Sequence, residues 1–266
     1  MPWTQGLHKN AIEETQLLSF LIPIKIVDKP WLKFDKSGLP YLCVMLKYAV
    51  IVAGGTGTRM GAQVPKQFIL LKNKPVLYYT IKTFLDSYPD MQVVLVLPAE
   101  YVDMGQEIID AYFDKERIRI TTGGETRFQS VKNGLQLIDE EAIIFVHDGV
   151  RCLLSKELIY SCYAKAMETG TAVPAVRSKD SVRLLTEEGN DPVERESVML
   201  VQTPQTFHSK ILLPAFQIDY KDKFTDEATV VEAYGIKISL VEGEERNIKI
   251  TRPVDLIIAE SMMNED

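Results

Sequence analysis

Residues 46–55 read Leu-Lys-Tyr-Ala-Val-Ile-Val-Ala-Gly-Gly, an apolar run that ends in two glycines. The segment 48–53 is short, uncharged and rich in apolar residues, which predicts a strand buried on both faces. Glycines directly after such a strand let the chain turn sharply and approach a ligand closely. This stretch therefore predicts the first strand of an α/β domain, with a ligand site at its carboxyl end.

The rest of the chain repeats this alternation of strand and helix. Further apolar runs predict strands over 92–97, 117–121, 142–147, 171–176 and 236–241. Periodic patterns predict helices over 75–87, 101–112, 126–138, 155–168, 209–217, 226–234 and 253–263. Pro75 and Pro253 suit the first turn of a helix, and Ser155 suits an N-cap. We therefore predict a Rossmann-like α/β fold, in which helices cover both faces of a mainly parallel sheet.

One segment departs from this alternation. Extended patterns over 180–185 and 193–201 flank a turn-rich connector at 187–191, which predicts a hairpin. We expect an arm at about residues 178–202 that projects from the sheet. Because a two-stranded arm is only marginally stable alone, we expect it to pack on a second subunit in a homodimer.

The first 44 residues lack the strand–helix rhythm and contain three prolines, Pro23, Pro30 and Pro40. We expect the working domain to span residues 45–266, and residues 1–44 to be an accessory or misassigned extension whose removal leaves folding and activity intact.

The apolar stretch 17–24 has eight residues, too few to cross a bilayer. Acidic residues precede it where an export signal carries positive charge, so we expect no membrane segment.

The composition excludes several classes of function. The 266 residues include 30 lysines and arginines against 37 aspartates and glutamates, a formal net charge of −7. This surplus of acid disfavours nonspecific binding to nucleic acid. The three cysteines form no CxxC pair, which argues against a zinc knuckle or a secreted disulfide scaffold and favours a reducing cytoplasm.

The loop after the first strand combines backbone amides with positive charge. Its candidate ligand-binding residues are Ala53, Gly54, Gly55, Gly57, Arg59 and Lys66. Amide N–H groups and fixed cations are suited to phosphate oxygens, whereas a tight turn with two solvated cations is the structural alternative. A dinucleotide fingerprint is excluded because Met60 stands where its last glycine is needed. A P-loop is excluded because the chain contains no Gly-Lys pair.

Further blocks of sequence follow in a defined order. They are Gly-Gly-Glu-Thr-Arg at 123–127 with Ser130, Val-His-Asp-Gly-Val-Arg at 146–151, Thr-Pro-Gln-Thr-Phe at 203–207, Thr-Asp-Glu-Ala at 225–228, Val-Glu-Gly at 241–243 and Asn-Ile-Lys-Ile-Thr-Arg-Pro-Val-Asp-Leu at 247–256. Together with Ala-Gly-Gly-Thr-Gly-Thr-Arg-Met-Gly at 53–61 and Pro-Lys-Gln-Phe at 65–68, they resemble the 2-C-methyl-D-erythritol 4-phosphate cytidylyltransferase family. The resemblance covers about residues 47–262.

The resemblance implies a role for each nucleotide-binding block. The glycine loop would hold the triphosphate of CTP together with Arg59 and Lys66, and Lys249 would reach the α-phosphate. These three cations are the implied catalytic residues. The backbone of Gly123 and the hydroxyl of Ser130 would lie near the cytosine, whose edge needs matched donors and acceptors.

The resemblance also implies an acceptor site that two subunits share. Asp148, at the end of a predicted strand, would help to place Mg²⁺ or bind a substrate hydroxyl, with a turn-capping role as the alternative. Arg151 would pair with a phosphate. Arg195 and Thr203 match the residues that bind the methylerythritol phosphate group, and the arm arginine acts across the dimer. Ser181 replaces the expected threonine but keeps its hydroxyl.

Four neighbouring residues have simpler interpretations. Arg127 is either part of the site or a surface ion pair, and Arg252 is expected to brace its loop. We interpret His147 as structural, because it alternates with Asp148 along the strand and faces the other side. Cys152 stands where many relatives of this family carry proline, and a packing role is favoured over a reactive thiol.

The implied reaction is attack by a substrate phosphate oxygen on the α-phosphorus of CTP, with release of pyrophosphate and with Mg²⁺ as cofactor. A phosphate monoester is an anion at neutral pH, so no serine, cysteine or histidine nucleophile is required. Two alternatives stay open from the sequence. One is a ribitol-5-phosphate cytidylyltransferase, which shares the CTP blocks but differs in its acceptor, and the other is a catalytically silent nucleotide-binding dimer.

Overall fold

The computed structural model describes residues 32–34, 40–42, 45–55 and 64–264 of the chain. The chain divides into two compact units, Met1–Val44 and Met45–Asp266. In the first unit, strands β1 (Leu32–Phe34) and β2 (Pro40–Leu42) pair antiparallel. The elements that follow belong to the second unit.

The strands of the second unit begin with the predicted one. They are β3 (Leu46–Val52), β4 (Leu70–Leu71), β5 (Lys74–Pro75), β6 (Met91–Leu97), β7 (Ile118–Thr122), β8 (Ala142–Asp148), β9 (Thr171–Arg177), β10 (Val182–Thr186), β11 (Gly189–Val193), β12 (Met199–Val201), β13 (Gln205–His208) and β14 (Leu240–Glu242). The first five predicted strands are confirmed to within two residues at each end. The sixth, predicted over 236–241, is extended only at β14, because its first residues form a loop.

Every predicted helix is present. The helices are α1 (Val76–Ser87), α2 (Val102–Tyr112), α3 (Arg127–Leu135), α4 (Lys156–Thr169), α5 (Ser209–Ala215), α6 (Glu227–Ala233) and α7 (Pro253–Met262). Ser155 is the N-cap of α4, as predicted, and its hydroxyl accepts a hydrogen bond from Leu158 N. Pro253 occupies the first turn of α7, whereas Pro75 lies one residue before α1 begins.

The main sheet has eight strands, in the order β12-β9-β13-β8-β3-β6-β7, with β14 paired to β9. Strands β8, β3, β6 and β7, from the centre of the sheet to one edge, are parallel. Strand β13 runs antiparallel to both β8 and β9, so the sheet is mainly but not wholly parallel. The sequence did not predict β13, because its four residues include Gln205, Thr206 and His208 and form no apolar run.

The hydrophobic core fills both faces of this sheet. On one face, Val50 and Val96 of the central strands pack with Phe128 and Val131 of α3. On the other face, the ring of Phe84 in α1 lies 5.9 Å from that of Phe145 in β8. Alternate residues of a strand point to opposite faces, so neighbouring residues of β8 belong to different layers.

The segment predicted to form the arm contains a hairpin, but the second strand of the hairpin was predicted in the wrong place. Strands β10 and β11 pair antiparallel, with Thr186 opposite Gly189, so the turn has two residues, Glu187 and Glu188. Gly189 has a φ of 142°, a backbone conformation that favours glycine, and it closes the turn earlier than predicted. Residues 199–201 form β12, which joins the main sheet beside β9.

The register of the central strands aligns the loops that follow them. Val52 pairs with Asp148 on one side of β3 and with Val96 on the other, and Leu97 pairs with Thr122. The loops after β3, β7 and β8 therefore start at one edge of the sheet, where ligands of such folds bind.

None of the helices in the described ranges combines the length and apolar composition that a membrane crossing requires.

Candidate active site

A cavity of about 300 Å³ opens at the carboxyl edge of the central strands. The loop after β3, the loop before α3, the end of β8 and the loop before α7 all contribute to its wall. The lining residues are Val52, Ala53, Gly54, Gly55, Lys66, Gln67, Gly124, Glu125, Thr126, Arg127, Ser130, Asp148, Val150 and Lys249. The structure thus brings together most of the predicted nucleotide-binding residues. Gly57 and Arg59 lie outside the described residues.

Lys66 lies next to Gly55, at the start of the glycine loop. A Cβ added to Gly55 would be 3.3 Å from Cε of Lys66, so a larger residue at this position would displace the lysine side chain. Lys66 is itself buried in a short 3₁₀ turn with Gln67. The amide Nε2 of Gln67 donates to the carbonyl of Ala53 over 2.8 Å, which ties this turn to the end of β3.

The loop before α3 is held by its own hydrogen bonds. The N–H of Gly123 donates to the carbonyl of Leu97 over 2.8 Å. The hydroxyl of Ser130 accepts from Gly124 N and donates to the carbonyl of Thr126. Gly123 and Ser130, predicted to lie near the cytosine, therefore also form the frame of the loop that lines this side of the cavity. Gly123 is not itself a lining residue.

Asp148 ends β8 and contacts three cations. Its Oδ1 accepts from Arg127 Nη1 at 2.6 Å, and its Oδ2 lies 3.3 Å from Arg151 Nε and 3.0 Å from Lys249 Nζ. These residues come from α3, the β8 loop and the loop before α7. The carboxylate is thus the point at which three separate segments of chain meet.

The pKa of Asp148 shows which force dominates at this position. Burial alone would raise the pKa of the carboxyl, because it disfavours the charged form, but the charges of Arg127, Lys249 and Arg151 outweigh it. The pKa of Asp148 is consequently well below its usual range. Burial lowers the pKa of Arg151, which still stays charged because of its neighbouring carboxylate. Asp148 is therefore an ionised carboxylate at neutral pH.

Arg127 is a half-buried bridge between two buried carboxylates rather than a surface ion pair. Besides Asp148, its guanidinium contacts Glu227 through Nε and Nη2, each at 3.0 Å from a carboxylate oxygen. Glu227 is 1% exposed, and its burial raises its pKa even though Arg127 opposes this shift. Sequence reasoning missed the role of Glu227. The available signal was an acidic residue inside the Thr-Asp-Glu-Ala block, but nothing in the sequence identified its partner.

His147 holds the loop that carries Asp148 and Arg151. Its ring lies on the opposite face from Asp148, 5.3 Å from the ring of Phe84, in agreement with the structural interpretation. Nε2 lies 3.2 Å from the carbonyl of Arg151 and must donate to it, since a carbonyl can only accept. Burial lowers the pKa of His147 to about 3, so the ring is neutral and Nδ1 accepts from the Thr203 hydroxyl at 2.9 Å.

Thr203 is buried and hydrogen-bonded within the same network. Its hydroxyl oxygen also accepts from the backbone N–H of Asp148 over 3.1 Å, and Asn247 Nδ2 donates to its carbonyl over 2.8 Å. Thr203 is predicted to contact a substrate phosphate. A hydroxyl has one proton, so to donate it to a phosphate Thr203 must release His147 Nδ1. Arg151 Nη1 donates to the carbonyl of Asn247 over 2.8 Å, which links the β8 loop to the segment that carries Lys249.

The remaining predicted acceptor residues lie beside the β10–β11 hairpin. Ser181 precedes β10 and Arg195 follows β11, and both are exposed. Arg195 contacts the carbonyl of Lys179 at 3.4 Å and Glu196 at 3.1 Å. Neither residue lines the cavity of its own chain.

Cys152 has the predicted packing role. It packs with Leu71 and Val76, and burial raises the pKa of its thiol to about 12.

The described part of the chain does not by itself supply a full set of metal ligands. Among the described residues, no group of three or more histidine, cysteine, aspartate or glutamate side chains is placed to hold one. Asp148 offers one ionised carboxylate at the cavity. These residues therefore fit a cation whose ligands are mainly oxygens of a bound substrate, such as a polyphosphate.

The fold and this cavity define a class of protein. A glycine loop, converging lysines and one ionised aspartate at the carboxyl edge of a Rossmann-like sheet are the arrangement of a nucleotidyltransferase. The family model for 2-C-methyl-D-erythritol 4-phosphate cytidylyltransferase matches residues 47–265. The chain belongs to this family, and it is accordingly a cytidylyltransferase.

Individual relatives agree with this assignment. The 2-C-methyl-D-erythritol 4-phosphate cytidylyltransferase of Phocaeicola vulgatus is 44% identical over 219 residues, which cover 82% of this chain and 100% of that protein. The crystal structure of 4-diphosphocytidyl-2C-methyl-D-erythritol synthase from Anaerococcus prevotii is 28% identical with a TM-score of 0.72, and the match covers 83% of this chain and 96% of that one. The structure of the Francisella tularensis 2-C-methyl-D-erythritol 4-phosphate cytidylyltransferase is 31% identical with a TM-score of 0.68. The match covers 81% of this chain and 99% of that one.

Proposed function

We propose that this chain transfers the CMP group of CTP to 2-C-methyl-D-erythritol 4-phosphate and releases pyrophosphate, a step of isoprenoid biosynthesis. The observation that carries the proposal is the convergence of Lys66, Lys249 and Asp148 with the backbone of Gly54 and Gly55 on one cavity. Family membership supports the same substrates. We further propose that residues 45–266 form the catalytic domain and that residues 1–44 are dispensable for it.

The chemistry requires charge neutralisation more than an activated nucleophile. An oxygen of the acceptor phosphate attacks the α-phosphorus of CTP, a new P–O bond forms, and the bond to the β-phosphate oxygen breaks as pyrophosphate leaves. The attacking group is already an anion. His147 and Cys152, which lie near the site, are buried and held in structural contacts. Catalysis therefore rests on positioning and on stabilisation of the charge that builds up on the leaving group.

Each part of the site has a proposed task. Lys66, together with Arg59 and the amides of the glycine loop, holds the triphosphate. Lys249 stabilises the α-phosphate while it is attacked. The loop 123–130, through Gly123 and Ser130, frames the base. These roles suit the residue types, because ammonium and guanidinium groups bind phosphate oxygens and backbone amides add fixed dipoles.

Asp148 and the arm serve the acceptor and the metal. We propose that Asp148 is the protein carboxylate that would help to hold a Mg²⁺ ion bound with CTP, and that the ion would supply positive charge to neutralise the phosphates. Arg151, paired with Asp148 at 3.3 Å, would contact the acceptor phosphate. Arg195 and Ser181 would reach the acceptor from the arm of a second subunit, in a homodimer whose arms cross.

The test is a pyrophosphate-release assay with purified protein, CTP and Mg²⁺. We expect release when 2-C-methyl-D-erythritol 4-phosphate is added and none with CTP alone. Ribitol 5-phosphate is the matched control, since it offers the same phosphate on a different alditol. Faster turnover with ribitol 5-phosphate would reassign the acceptor, and no release with either would leave a silent nucleotide-binding protein.

A further inference from the structure

Glu227 is a buried carboxylate to which the proposed reaction gives no direct task. It is the first residue of α6 and is 1% exposed. Removing an ionised carboxylate from water is costly unless it is paired and hydrogen-bonded. Its partner is Arg127, whose Nε and Nη2 donate to both carboxylate oxygens at 3.0 Å. Such a two-point contact fixes the plane and direction of the guanidinium.

The remaining nitrogen of Arg127 is aimed at the site. Its Nη1 donates to Oδ1 of Asp148 over 2.6 Å, which leaves Oδ2 of Asp148 with Lys249 and Arg151. Glu227 therefore acts on Asp148 through one intervening side chain. Because Glu227 takes two of the donors of Arg127, it determines which donor reaches Asp148 and from which direction.

The start of α6 is itself held in place, which makes Glu227 a rigid support. The side chain of Asp226 accepts from Thr229 N and from Gln205 Nε2 at 2.8 Å. Gln205 Oε1 in turn accepts from Ala228 N over 2.8 Å. Gln205 lies in β13, directly beside β8, so α6 is anchored to the strand next to the one that carries Asp148.

We infer that Glu227 is a positioning residue for cytidylyl transfer, which orients Arg127 so that Asp148 presents one oxygen to Arg127 and the other to the reacting groups. The inference rests on the proposed function. Substitution of Glu227 by glutamine removes its charge. Asp148 is then the only carboxylate among these residues that pairs with the Arg127 guanidinium, and the guanidinium is free to turn toward Asp148. Asp148 then shifts relative to Lys249, and small displacements of this kind lower turnover by about 10- to 100-fold.

The experiment compares Glu227→Gln with wild type by steady-state pyrophosphate release. We expect kcat to fall about 10- to 100-fold, with the KM for CTP changed less than about threefold, because Lys66 and the glycine loop hold the triphosphate independently. Glu232→Gln is the matched control. It makes the same change at an exposed position of the same helix, so it should leave kcat within about twofold of wild type.

A double-mutant cycle tests whether the effect passes through Arg127. In an Arg127→Met background, Glu227→Gln should change kcat less than about twofold, because the intermediary is gone. Arg127→Lys provides a second route if Glu227→Gln fails to fold, since lysine keeps the charge but cannot contact both carboxylates in the same geometry. We expect it to lose turnover as Glu227→Gln does.

Three results would overturn the inference: wild-type kcat in Glu227→Gln or Arg127→Lys, an equal further loss in the Arg127→Met background, or the same loss in Glu232→Gln. Each of these presupposes an active wild-type enzyme. A wild type that releases no pyrophosphate would instead overturn the proposed function and this inference with it, so the two failures are distinguishable.

Discussion

Lys249 Nζ lies 3.0 Å from Oδ2 of Asp148, so the lysine proposed to contact the α-phosphate is paired with the carboxylate at the centre of the site. The lysine side chain is 42% exposed whereas that of Asp148 is 7% exposed. The carboxylate is therefore fixed and the ammonium can move. Phosphate oxygens that enter the cavity would compete with Asp148 for Lys249, and this exchange would guide the lysine to the substrate.

Removal of either cavity lysine should abolish most of the activity. We expect Lys66→Ala and Lys249→Ala each to fold normally and to lose about 100-fold or more in kcat, because each removes a cation that stabilises charge in the transition state. The measurement is pyrophosphate release at saturating substrates, with circular dichroism to verify folding. Lys210, an exposed lysine paired with Glu141, gives a control in Lys210→Ala. Near-wild-type rates in both cavity variants would refute the assigned roles.

Asp148→Asn should separate nucleotide binding from turnover. The substitution removes one negative charge from among Arg127, Arg151 and Lys249, so the cavity becomes more positive. We expect CTP to bind at least as tightly as to wild type in the presence of a chelator, while kcat falls about 100-fold or more. Titration calorimetry with EDTA and the release assay measure the two quantities. Weaker metal-free binding of CTP by the variant would contradict this electrostatic account.

The proposed exchange of arms can be tested by mixing two inactive proteins. If Arg195 acts across a homodimer, Arg195→Ala and Lys249→Ala subunits should form hybrids in which one site has both residues intact. Random mixing should then restore up to about a quarter of wild-type activity. The matched control mixes Lys66→Ala with Lys249→Ala, which both alter the same cavity and should stay inactive. No recovery after subunit exchange would place Arg195 on its own cavity, and wild-type activity of Arg195→Ala alone would place it outside the site.

The neutral imidazole of His147 should make stability depend on pH. Its pKa is about 3 in the folded chain, against about 6.5 when unfolded, because burial disfavours the charged ring. Asp148 would favour the charged ring, whereas Arg151 and Arg127 oppose it. Below pH 6.5 the unfolded chain binds a proton that the folded one does not, so the free energy of unfolding falls as the pH falls.

The loss should reach about 2 kcal/mol between pH 7.5 and pH 5. Urea denaturation of wild type and of His147→Gln measures it, because groups such as Asp148 and Glu227 titrate in both proteins and cancel in the difference. We expect the two stability curves to converge as the pH falls through this range. Parallel curves would mean that the ring is not held neutral in the folded state.

Much of the fold follows from local patterns in the sequence. The apolar runs of β3, β6 and β8 are buried on both faces, and such runs identify parallel strands without knowledge of their neighbours. The helices have caps and periodic apolar positions that act within a few residues. Strand β13 and the second strand of the arm were different, because their pairing depends on partners elsewhere in the chain and on the backbone at Gly189.

The candidate site likewise has one part that the sequence predicts and another that depends on the tertiary structure. The sequence by itself determined which chemical groups are available, since glycines after a strand, Lys66, Asp148 and Lys249 are readable as residue types in blocks. Only the tertiary structure decided which groups meet. The contact of Arg127 with Glu227, 100 positions apart, and the assembly of three cations around Asp148 depend on strand register and helix placement. Long-range contacts of this kind result from packing of the whole domain, which no local pattern encodes.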